Sequence, residues 1–194
     1  VRPALCIPLQ SGTVYNTPPP TQGAASLLIL ALVERFTQNA GLDIADEAHL
    51  VHAVVEATKQ AFILRDAHIT DPAHMTAAIE SLFAPETLDR LAARLNPGTA
   101  APWPHARPGG DTVWLGAADS QGNMVSYIQS IYHEFGSGLV LPESGILWTN
   151  RGLGFAYGAP GAQEHPNCLA PAKRPFHTLN PALALLRDGR KMAY

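Results

Sequence analysis

The chain has 194 residues, 46% of them hydrophobic and only 15% charged, with a formal net charge of -3. That composition excludes a disordered segment and fits one folded domain, or a piece of a larger one. Lys+Arg 13 against Asp+Glu 16 gives no basic excess for nucleic acid. The longest apolar run, Ala24–Val33, is shorter than the roughly 20 residues a membrane helix needs. No membrane segment is therefore expected in this chain. Cys6 and Cys168 form neither a disulfide framework nor a zinc spacing.

Leu5–Leu9 and Thr13–Asn16, flanking Gln10-Ser11-Gly12, predict two short strands and a turn. Pro18-Pro19-Pro20 then excludes helix and central strand, because proline donates no backbone hydrogen bond. It is expected to be a rigid connector. Ala24–Gln38 is apolar on nearly every side, which predicts a buried helix stopped at Asn39-Ala40-Gly41. Across 46–66 a helical period places Leu50, Val54, Ala57, Ala61 and Leu64 on one face and Glu56, Lys59 and Gln60 on the other. Asp71-Pro72 predicts a capped short helix running to about Leu82. Pro85–Leu95 repeats the device. Residues 96–110, rich in proline and glycine, predict a loop.

Beyond the loop the pattern changes to strands: Thr112–Ala118, Met124–Tyr132, Ile146–Thr149, and a final hairpin of Ala182–Arg187 with Lys191–Tyr194. Asp119–Asn123 is a turn by composition. Helices first and a sheet last favour an α+β fold over βαβ alternation. No phosphate loop or G-x-S-x-G elbow is present, and His133, His165 and His177 lack ligand spacing, so no metal site is expected. The chain opens at Val1 without a start methionine and stops within a predicted strand, so it is expected to be an internal fragment, with localisation left unknown.

Thr112 follows a loop that looks cleavable and begins a strand. A cut before it would give one residue both a hydroxyl nucleophile and an α-amine base. Such an amine has a pKa of about 7.7–8.0, so a useful fraction is neutral near pH 7–8. On composition alone an ordinary β-branched strand threonine is the favoured reading.

The ordered set Thr112, Asp119, Gly122-Asn123, Phe135-Gly136-Ser137-Gly138, Gly145-Ile146-Leu147 and Asn150 resembles the start of the small subunit of the gamma-glutamyltranspeptidase family. Residues 15–23 and 52–72 are similar to that family's large subunit, and residues 169–189 to its Lys-Arg-Pro segment. The resemblance implies an αββα N-terminal-nucleophile hydrolase sandwich, of which this chain is a part. It implies that residues 1–111 are the end of a large-subunit-like region closing in a Pro/Gly linker. Residues 112–194 would then open a small-subunit-like region. The Asp111–Thr112 bond would be self-cleaved, so the chain's own processed subunit would be its partner. Thr112 would be the nucleophile, acting on a small amide or peptide substrate with no cofactor. Ser130, Asn150, Arg151 and Thr178 would bind substrate.

The same comparison shows departures. A Thr-Thr-His start is replaced by Thr112-Val113-Trp114, which loses an assisting hydroxyl. Tyr132 stands for an asparagine, and His177-Thr178 for a pair of serines. Arg151 and Gly154 replace an amide and the carboxylate that holds a substrate α-ammonium. The family's Gly-Gly oxyanion hole and carboxylate-binding arginine fall outside the sequence. The expected activity is hydrolysis or transfer of γ-glutamyl or related acyl groups, with poor use of those bearing an α-ammonium. Arg151 would suit a terminal carboxylate such as glutaryl. A cephalosporin (glutaryl) acylase-like enzyme and an unprocessed, non-catalytic relative are the alternatives.

Overall fold

The computed structural model describes residues 2–103, 112–157 and 164–194. Asp111, one side of the expected cleavage site, lies outside the described residues. The first half is built on helix α1 (Gly23–Ala40). Its buried residues Leu27, Leu28, Leu32 and Phe36 meet strands β1 (Leu5–Leu9) and β2 (Gly12–Asn16) and helices α2 (Glu47–His68) and α4 (Pro85–Ala92). Gly23 starts α1 where a Cβ would sit 2.1 Å from the Thr17 carbonyl oxygen, so only glycine lets the helix begin this close to β2. Gly41 ends the helix in the left-handed conformation at φ 63°, and Leu42 N–H returns to the Thr37 carbonyl.

Strand β2 pairs antiparallel with both β1 and β5 (Leu183–Leu186), and β5 with β6 (Lys191–Ala193). The sheet order is β1-β2-β5-β6, so the first and last segments of the chain share one sheet under α1. Strands β3 (Val113–Ala118) and β4 (Met124–Gln129) form a separate antiparallel pair beside β6. Ser126 Oγ donates to the Tyr194 carbonyl at 3.1 Å, and Lys191 Nζ to the Gly122 carbonyl at 2.8 Å. The architecture is α+β, as expected. No helix among the described residues is long and apolar enough to cross a membrane.

Several expectations need correction. The buried stripe of α2 is Ala53, Glu56, Ala57, Gln60, Ala61 and Arg65, while Leu50 and Val54 are exposed. The stripe is rotated because its two charged members find partners inside, although Gln60 Oε1 has none among the described residues. Glu56 accepts from Lys59 Nζ at 2.5 Å and from the Ala101 N–H at 3.1 Å, and Arg65 stacks on Phe62 at 3.8 Å and donates to Gln22. Alanines complete the stripe and let α2 pack closely on α1. Residues 72–82 are not one helix. A 3-10 turn (Pro72–His74) and a single α turn, α3 (Ile79–Leu82), flank a link that bends at Thr76 and Ala77.

Strand β4 stops at Gln129 rather than Tyr132. Tyr132 and His133 have φ of 58° and 68°, which no strand continues. Ile146–Thr149 makes no strand: Val140 and Leu147 form an isolated bridge, ringed by Trp148 N–H to Leu139 O and Leu141 N–H to Ile146 O.

Candidate functional site

Thr112 is exposed and immediately precedes β3. The β3–β4 register pairs Val113 with Gln129. Continued by one rung, it sets Thr112 opposite Ser130. Cross-strand neighbours are about 4.5–5.5 Å apart at Cα, so the two hydroxyl residues share one end of the hairpin. Ser130 Oγ accepts the Tyr132 N–H at 3.1 Å, a local turn that draws the chain out of the strand. The next residue, Ile131, holds the second part of the site. Its carbonyl accepts the Asn150 N–H at 2.9 Å and the Thr149 hydroxyl at 3.2 Å. Asn150 thereby fixes the start of a 3-10 turn, Arg151–Gly154.

Arg151 is 5% exposed and is the only buried residue in the described stretch 112–157. Its guanidinium lies 4.4 Å from the Tyr132 ring centroid and donates through Nη2 to Thr178 Oγ1 at 3.2 Å. Its Nε has no partner among the described residues, and no described carboxylate lies within ion-pair distance. Burial pushes its pKa down and Tyr132 offsets part of that, but a guanidinium keeps its charge. A buried cation without a described counter-ion is costly, and an anion beside it would offset that cost.

His177 precedes Thr178 on a segment tied to the proline connector. Its N–H donates to the Pro20 carbonyl at 2.8 Å, and Thr21 bridges it in parallel. Its pKa is pushed down to about 4, first by burial and then by the charge of Arg151. Leu179 N–H donates to Nδ1 at 3.2 Å, so the neutral ring carries its proton on Nε2. Gly154 supplies no acceptor, and a Cβ there would come within 3.2 Å of the Phe176 carbonyl oxygen. The backbone therefore leaves an acidic side chain little room.

The structure links Ser130, Asn150, Arg151 and Thr178 through the contacts of Ile131 and Arg151, and extension of the β3–β4 register sets Thr112 opposite Ser130. Sequence reasoning named Tyr132 and His177 only as departures from the family pattern and not among the candidate site residues. The ring of Tyr132 reaches Arg151 only because its backbone is left-handed, and no local pattern announces that. Scaffold surrounds the cluster. Asp119 accepts the N–H groups of Gln121 and Asn123, each at 2.9 Å. Arg174 clamps Asp71 through Nη2 at 2.6 Å and its own N–H at 2.9 Å. Arg174 holds the buried Asp71 carboxyl far below the usual carboxylate range.

The gamma-glutamyltranspeptidase family model matches residues 1–194. The chain belongs to the gamma-glutamyltranspeptidase family. Among curated relatives, the oxamate amidohydrolase proenzyme of Klebsiella pneumoniae is 52% identical over 185 residues, covering 95% of this chain and 34% of that protein. A glutathione hydrolase-like proenzyme of Bacillus subtilis is 37% identical over 187 residues, covering 94% of this chain and 33% of that protein. Among solved structures, a cephalosporin acylase from Bacillus halodurans superposes with a TM-score of 0.75 at 32% identity, covering 95% of this chain and 32% of that one. The chain thus spans about a third of the length of these relatives. Its fold is the αββα sandwich of the N-terminal-nucleophile hydrolases, of which it forms a portion.

Proposed function

We propose that the whole protein is an amidohydrolase activated by cleavage of its own Asp111–Thr112 bond. Thr112 is the nucleophile and acts on small amides whose acyl part carries no α-ammonium. Residues 1–111 end the large subunit and residues 112–194 begin the small one. The observation that carries this reading is the position of Thr112, at the mouth of β3 and one rung from Ser130, in a family whose relatives are named as proenzymes.

In processing, Thr112 Oγ attacks the Asp111 carbonyl carbon and the peptide C–N bond breaks, leaving an ester. Water opens the ester and frees the Asp111 carboxylate and the Thr112 α-amine. In turnover the α-amine takes the hydroxyl proton as Oγ attacks the substrate carbonyl. That proton passes to the leaving nitrogen, and the amine departs. Water then attacks the acyl ester, gives its proton to the α-amine, and restores Thr112. An acceptor amine in place of water would make the same step a transfer. Ser130 supports the nucleophile by hydrogen bonding, and Asn150 fixes the turn that carries Arg151.

The charge of the site argues against γ-glutamyl groups. Arg151 would face the α-ammonium with a like charge, and Gly154 gives it no acceptor. The relative acting on oxamate supports a small acyl group without an ammonium. A longer glutaryl-type acyl group is the second reading, favoured by the likeness to the cephalosporin acylase. Ammonia release from oxamate by the full-length protein tests the first reading. Wild type should release it, and Thr112→Ala should lose at least about 1,000-fold in rate. Equal rates in the two proteins would reject Thr112 as nucleophile. Faster release from γ-glutamyl amides than from oxamate would reject the reading of the charge.

A further inference from the structure

We infer that Arg151 is the receptor for a carboxylate on the acyl part of the substrate, and that the substrates are monoamides of short dicarboxylic acids. This rests on Thr112 being the nucleophile.

The first support is the state of Arg151 itself. It is the one buried residue in the described stretch 112–157, it is charged, and it lacks a described counter-ion. Its Nε is unpartnered. Apolar burial would place a Leu or Ile there, and a surface ion pair would leave the side chain in water. Neither describes this site. The second support is how the guanidinium is held. Tyr132 covers one face at 4.4 Å, and Thr178 Oγ1 accepts from Nη2 at 3.2 Å. Those two contacts hold the guanidinium, and neither satisfies the buried Nε donor. Guanidinium edges match carboxylate oxygens, which accept two parallel hydrogen bonds.

The third support is distance along the structure. Arg151 follows Asn150, whose N–H is bonded to Ile131, and Ile131 follows Ser130, the residue across from Thr112. The carboxylate receptor is therefore built on the same few residues as the reacting end. A carboxylate held at Arg151 while a carbonyl meets Thr112 Oγ calls for a short acyl group. Oxamate, whose carboxylate is bonded directly to its amide carbonyl, is the smallest member of the class. His177, neutral and next to Thr178, brings no competing negative charge and offers an Nε2–H donor.

The test uses the full-length, self-processed protein and three amides: oxamate, its uncharged counterpart oxamide, and glutaramate. Wild type should favour oxamate over oxamide by about 100-fold or more in kcat/KM, and oxamate over glutaramate. Arg151→Met should self-cleave, lose about 100-fold on oxamate and change little on oxamide. Equal losses on both amides would make Arg151 structural and overturn the inference. A wild type that hydrolyses oxamate and oxamide alike would also overturn it. A preference for glutaramate would overturn the short-acyl part.

Should Arg151→Met fail to fold, the wild-type ratio and Thr178→Val decide. Thr178 is exposed, and its loss should raise KM for oxamate several-fold with kcat little changed. An unchanged KM together with a wild-type ratio near one contradicts the inference. A protein that stays whole and hydrolyses none of the three amides refutes the nucleophile reading instead, so the two failures are distinguishable.

Discussion

Residues 2–103 and residues 112–157 bury opposite things. In the first region the buried set is mostly apolar: Leu27, Leu28, Leu32 and Phe36 from α1, the alanines of α2, and Leu88 and Leu91 of α4. The buried charged side chains there, Glu56, Arg65 and Asp71, each have a charged or hydrogen-bonding partner, while the neutral Gln60 and Thr70 each keep one buried oxygen unpartnered among the described residues. In the second region Val113, Phe135, Leu139 and Trp148 are exposed, and the one buried residue is a cation without a described counter-ion. Burial in the first region makes a core. Burial in the second is what the proposed receptor rests on. Stability should therefore follow the first region and chemistry the second.

Substitutions can break that division. The largest expected effect on stability is Phe36→Ala. Phe36 is 2% exposed at the centre of the core, and removing the ring should cost about 3–5 kcal/mol in equilibrium denaturation of the full-length protein. A loss below about 1 kcal/mol would mean that the helical region does not hold the fold together.

Arg174→Met should have a smaller effect, of about 1–3 kcal/mol near neutral pH, because it leaves the buried Asp71 carboxylate without its main partner. The sign with pH follows from the pairing. Asp71 has its folded pKa depressed below the unfolded value of about 3.9. Its contribution is complete above that value and is lost as pH falls toward the folded pKa. Wild type and variant should therefore converge in stability as pH drops below about 4. A difference that holds constant down to pH ~2 would show that the carboxylate is not the source.

His177→Gln should have the smallest effect, visible mainly as a pH slope. The folded pKa of about 4 lies below the usual value of 6.5. The unfolded chain thus binds the extra proton between those two values, and wild-type stability falls as pH drops through that window. The variant should lose this slope while keeping its stability at pH 8. An unchanged slope would mean that His177 is not held neutral beside Arg151.

Much of the first region is legible in the sequence because its signals are local. The strands around Gly12, the all-apolar α1 with Gly41 after it, and the cap at Asp71-Pro72 each report on neighbours a few residues away. The buried face of α2 is not legible. Glu56 and Arg65 look like surface residues until Ala101, Gln22 and Phe62 arrive from elsewhere in the chain. The end of β4 is hidden for a similar reason. Nothing local in Ser130-Ile131-Tyr132 announces left-handed backbone, so the β-branched and aromatic pattern overshoots. In the site, Thr112, Ser130, Asn150, Arg151 and Thr178 could be named from ordered motifs. The burial of Arg151, its stacking on Tyr132 and the neutrality of His177 come from contacts between segments far apart in sequence, and needed the fold.

The central claim is that Thr112 is made into the nucleophile by cleavage of the bond before it. Intact-mass and N-terminal sequence analysis of the purified full-length protein tests it most directly. The account predicts two fragments, the smaller subunit beginning Thr112-Val113-Trp114, and one uncut chain for Thr112→Ala. A wild-type protein that stays whole, or a Thr112→Ala protein cut at the same bond, would contradict it.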